Sequence, residues 1–162
     1  MNPHDNIKVD KMRFQYNKLG QLLILLGLAF ATIGMFMLIT YDTFGKGGET
    51  TRVVPDFVIA LDIVFSIINM LVLFLASEKV KYYDKHFSLY GVFIMAGLNI
   101  IRLLYTPFYA YQKEWLSQSR LITILIMMII GALLLIASGV ISARKYLLLQ
   151  KHQKEIELWK SN

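Results

Sequence analysis

Apolar residues run almost unbroken through four stretches of the chain, 19–41, 57–77, 87–111 and 121–143, with short polar segments between them. Each holds roughly 20–25 residues, and about 20 suffice to carry a helix across a hydrocarbon core about 30 Å thick. Helix is the expected form, because lipid offers no partner to an unpaired backbone N–H or C=O. The alternating segments of about ten residues that build a membrane barrel are absent. The pattern predicts an all-α integral membrane protein, a four-transmembrane-helix antiparallel bundle with amphipathic cytoplasmic ends. Little chain remains for anything else, so residues 1–162 read as one membrane domain with a cytoplasmic tail over 144–162. The first stretch exceeds the 7–15 residues of a signal-peptide core and lacks a clean small-x-small site, so it is expected to stay as an anchor.

Composition agrees with the pattern. Of 162 residues, 56% are hydrophobic and 17% charged, where a soluble domain has about 45–50% and about 25%. With no cysteine, disulfides, thiolate metal sites and dithiol redox chemistry are excluded.

Charge sets the expected direction of insertion. Twelve basic residues flank one side of the stretches: Lys8, Lys11, Arg13, Lys18, Lys79, Lys81, Lys85, Arg144, Lys145, Lys151, Lys154 and Lys160. Only Lys46, Arg52, Lys113 and Arg120 flank the other. The positive-inside rule therefore puts both termini in the cytoplasm. This asymmetry also explains the net charge of +6. Basic residues at that face attract anionic lipid at about 1 kcal/mol each, and nucleic acid is not an expected partner. Richness in Lys and Ile without cysteine points to a bacterial cell membrane.

Two stretches carry polar groups at helical spacing. Asp62, Ser66 and Asn69 stand at i, i+4, i+7, and Asn99, Arg102 and Thr106 at i, i+3, i+7. Each trio shares one helix face. The two helices are joined by a short loop, and Asp62 and Arg102 lie within about one turn (~5.4 Å) of the same depth. They are expected to pair, with Ser66 and Thr106 completing their hydrogen bonds. The depth match holds whether the third helix ends near Thr106, before Pro107, or continues to Tyr111. In the longer register Asn69 and Asn99 also coincide. Such a stripe is structural glue, the lining of a polar path, or a contact with another subunit. Small residues mark close helix approaches: Gly20, Gly27 and Gly34 in the first stretch, and Ser138, Gly139 and Ser142 in the fourth.

Outside the stretches the signals are weaker. GKGGET in the 42–56 loop has the composition of a phosphate-loop fragment, but no strand precedes it, so it reads as flexible linker. Tyr105, Phe108, Tyr109, Tyr111 and Trp115 cluster around Pro107 as an interfacial aromatic belt, or an aromatic ligand cage. Val9, Met12, Tyr16 and Leu19, and Leu149, His152, Ile156 and Trp159, form helical stripes suited to headgroups or a partner. His4, His86 and His152 do not converge, so neither a metal site nor a cofactor is expected. No catalytic motif appears, and an enzyme is not expected. The function expected is that of a non-enzymatic accessory or regulatory subunit binding another membrane protein. The alternative is a homo-oligomeric small-solute or ion transporter or channel lined by the Asp62/Arg102 stripe.

Overall fold

A computed structural model describes residues 15–39 and 56–161. Val9, Met12 and the GKGGET segment lie outside these residues, as does the side chain of Trp159. The described chain is helical: α1 (Lys18–Ile39), α2 (Phe57–Lys81), α3 (Val92–Gln112), and α4 (Gln118–Ser161). A π-helical turn, Phe87–Gly91, leads directly into α3. All four helices are long and apolar enough to cross a membrane.

Polar residues define the ends. Asn17 caps α1, its Oδ1 accepting from the Gly20 N–H at 3.2 Å. Asp56 caps α2, accepting from the Phe57 N–H at 2.7 Å. Between α2 and α3 the chain turns through Tyr83, a buried residue in the left-handed region at φ 59°. Asp84 then accepts from the N–H groups of His86 and Phe87 at 3.0 and 3.1 Å, starting the next helix. Pro107 does not end α3, which runs on to Gln112. The longer of the two expected registers is the one adopted.

α1 lies along α4, residue numbers rising on one as they fall on the other. Gly20 meets Ser142, Gly27 meets Leu135 and Gly131, and Gly34 meets Met128. A Cβ on Gly27 would stand 3.0 Å from the Leu135 side chain and 3.2 Å from the Gly131 carbonyl oxygen. The absent side chain is thus what lets the two backbones approach. Ser138 Oγ donates to the Gly20 carbonyl at 2.8 Å, and Asn17 Nδ2 donates to Ser142 Oγ at 3.0 Å. Gly139 belongs to a different contact, against the ring of Phe93 on α3.

Two apolar layers are buried among the helices. One gathers Ile24, Leu73, Val80, Val92, Met95, Ala96 and Leu135. The other gathers Leu38, Ile59, Ala110, Leu116, Ile124 and Met128. Past Tyr146, which is still buried, none of residues 147–158 of α4 is buried.

Candidate functional site

The polar stripe occupies the level between those layers. On α2, Asp62, Ser66 and Asn69 follow Ile59 of one layer and precede Leu73 of the other. On α3, Asn99, Arg102 and Thr106 stand between Ala96 and Ala110 in the same way. All six are buried.

Arg102 grips Asp62 side-on. Its Nε donates to Oδ1 at 2.8 Å and its Nη2 to Oδ2 at 2.7 Å. Thr106 Oγ1 adds a third bond to Oδ1 at 3.1 Å. The guanidinium also lies over the Phe65 ring, 5.8 Å from its centroid, a distance at which a cation and a π-face attract. Side-chain exposures of 8% for Arg102 and 6% for Asp62 leave little water to weaken the pair. A two-pronged, charge-assisted contact of this kind is the strongest arginine makes with a carboxylate.

Ser66 departs from expectation. Its Oγ donates at 2.6 Å to the backbone carbonyl of Asp62, one turn back in its own helix, and not to the carboxylate. Serine inside a helix readily satisfies itself in this way, and Thr106 supplies the bond instead. At the next level Asn69 Nδ2 donates to Asn99 Oδ1 at 3.2 Å, and Asn99 Nδ2 donates to the Met95 carbonyl at 2.8 Å. Asn69 Oδ1 is fully buried with no partner.

Beside the pair, α2 and α3 line a groove of about 410 Å³. Its walls are apolar, formed chiefly by Leu61, Phe65, Leu98 and Ile101, with Asp62, Arg102 and Thr106 among its lining. The outward positions around it, Leu61 and Ile101, are 53% and 63% exposed.

Flanking contacts that helical spacing did not reveal fix both ends of the bundle. Tyr109 OH donates to Asp56 Oδ2, and together with the Phe57 N–H this bond holds the Asp56 carboxyl below its usual pKa. The Tyr109 ring stacks on Tyr105 at 6.0 Å and meets Trp115 edge-on at 6.1 Å, and Lys113 Nζ stands 5.6 Å from its centroid. The aromatic cluster thus already holds a cation of this chain. Arg120 Nε donates to the Met37 carbonyl at 3.0 Å, near the C-terminus of α1. At the opposite end Gln21 donates to Glu78 at 2.8 Å, and Lys81 sits between Tyr16 and Tyr82. The sequence marks Tyr105, Tyr109 and Trp115 as an aromatic belt and Tyr16 as part of an amphipathic stripe, but not these contacts. Among the described residues no three His, Cys, Asp or Glu side chains gather.

No protein-family model, curated protein or solved structure matches this chain.

Proposed function

We propose that the chain sits in a lipid bilayer as an antiparallel bundle with both termini cytoplasmic. There it acts without catalysis, as an accessory or regulatory subunit of another membrane protein. The observation that carries this reading is the pairing of the stripe's two charges. Asp62 and Arg102 are the only charged residues within the four apolar stretches, and they are committed to each other. Apolar layers stand above and below them. A carrier needs a route between faces, and a proton-coupled one needs a carboxylate free to exchange partners; this arrangement favours neither within one chain.

The end of α4 supports a binding role. Beyond Tyr146 none of residues 147–158 is buried by the described residues, and the helix bears Lys151, Lys154 and Glu155 beside Ile156. Isolated helices of ~12–15 residues are marginal in water, so anionic headgroups or a partner protein would steady it. A bacterial cell membrane is the setting that the composition favours.

A second reading has its own observation. The groove brings Asp62 and Arg102 close to the lateral surface, where two copies could face one another around a solute path. Purification from the native membrane in mild detergent, followed by mass analysis and reconstitution in liposomes, separates the two. A stoichiometric second protein supports the subunit. A homo-oligomer that conducts a solute replaces it with the transporter.

A further inference from the structure

We infer that the groove between α2 and α3 holds one phospholipid, its phosphate oxygens accepting hydrogen bonds from Arg102 and an acyl chain lying along the apolar walls. This rests on insertion in a bilayer but on neither choice of partner. A guanidinium has five N–H donors, and Arg102 spends only two of them, one from Nε and one from Nη2, on Asp62. Nη1 meets no acceptor among the described residues. It is not among the fully buried, unpartnered side-chain atoms of the described residues, which are Asn69 Oδ1 and Ser88 Oγ. The donor edge therefore keeps some exposure, and Arg102 lines the groove.

What reaches a lateral groove in a bilayer is lipid. N–H groups left unpaired beside hydrocarbon cost several kcal/mol, so an acceptor oxygen is drawn in. Water alone would satisfy the donors but leave Leu61, Phe65, Leu98 and Ile101 wet; a phospholipid answers both needs. The guanidinium fork matches phosphate as it matches carboxylate, so one edge holds Asp62 while the other meets the lipid. Asp62 already balances the charge, so recognition comes from donor geometry and apolar fit rather than net attraction. A volume of about 410 Å³ falls within the usual range for small-molecule sites, about 300–1,000 Å³.

The full chain, in a neutral detergent, is titrated with phosphatidylglycerol and read by native mass spectrometry. One lipid per chain is expected. Ile101→Trp and Leu61→Trp, on opposite walls, should each weaken it at least tenfold, while Leu133→Trp on the exposed side of α4 should not. Diacylglycerol, which has the chains but no phosphate, should bind at least tenfold more weakly, and inorganic phosphate should not displace the lipid. A photoactivatable phosphatidylglycerol should crosslink to α2 and α3 peptides. Equal binding in the wall variants, equal binding of diacylglycerol, displacement by inorganic phosphate, or crosslinks confined to α1 and α4 would each overturn the proposal. So would a lipid-free dimer that Ile101→Trp splits. Alkaline carbonate extraction tests bilayer insertion separately: release of the chain from membranes refutes insertion, whereas retention with no bound lipid refutes the lipid site alone.

Discussion

Asp62 and Arg102 are each tolerable in this interior only because of the other. Removing one partner of a buried pair strands a charge and typically costs about 3–5 kcal/mol. Asp62→Ala and Arg102→Ala should each destabilise by about that amount, and the double variant should recover much of the loss, as a double-mutant cycle of unfolding in detergent would read. A double variant that folds as well as wild type yet no longer associates with its partners would assign the pair a role beyond stability. Asp56 answers to pH instead. Its carboxyl is held low by the bonds from Tyr109 and Phe57, so its contribution is full above the ordinary carboxylate pKa and is lost as pH falls through the lowered folded value. Asp56→Asn keeps a capping oxygen while removing the charge. The gap in thermal midpoint between wild type and this variant should be widest at neutral pH and close below about pH 4. The trios were legible from their sequence spacing because helix faces repeat every 3.6 residues. Ser66's actual partner was not, since a serine hydroxyl chooses between its own backbone and a neighbour by geometry alone. Nor was the bond from Tyr109 to Asp56, which joins residues 53 apart with no pattern between them.

α1 and α4 pack with their backbones close together, and glycine permits it. Gly27→Leu should push Leu135 and the Gly131 backbone away, costing the about 1–3 kcal/mol of an overpacked core. Gly97→Ala provides the opposite sign. A Cβ there meets nothing within 4 Å, and a helix interior gains about 0.5–1 kcal/mol when alanine replaces glycine. Thermal unfolding of both variants in one detergent reads the contrast. The glycine heptad was visible in the sequence as a seam, but its partner helix was not, because small residues occur on several helices. α4 has its own test. Truncation before Gln150 removes a part of the helix in which none of residues 150–158 is buried, so the remaining helices should keep their packing while binding to partner or anionic vesicles weakens. Unchanged binding would make that segment inert.

For the molecule as a whole, the proposed orientation rests on the distribution of basic residues. Cysteines introduced at Gly47 and Ser117 should react with an impermeant reagent on intact cells, and one at Ser161 should not; the reverse pattern would invert the topology. Four helices were legible because each apolar run is long and ends at a polar boundary. How they pack was less so. The passage of α3 through Pro107 depended on whether neighbours would tolerate a missing hydrogen bond, and Pro107 is itself buried in the bundle.

Forty residues separate the two members of the ion pair, and a ribosome adding about 5–20 residues per second needs about 2–8 s to make that length. For that interval α2 exists without its arginine. A lone acid costs up to about 2.5–3.5 kcal/mol at the centre of a bilayer-spanning helix and less for Asp62, five residues from the start of α2, so release of α2 into lipid would be opposed until α3 has been synthesised. On the insertion proposed above, the two helices would then leave the insertion machinery together, as a hairpin joined at Asp62 and Arg102. Arg102→Ala should accordingly leave α2 lingering beside that machinery during biogenesis, a delay that timed crosslinking of nascent chains would register before any folded protein exists to be measured.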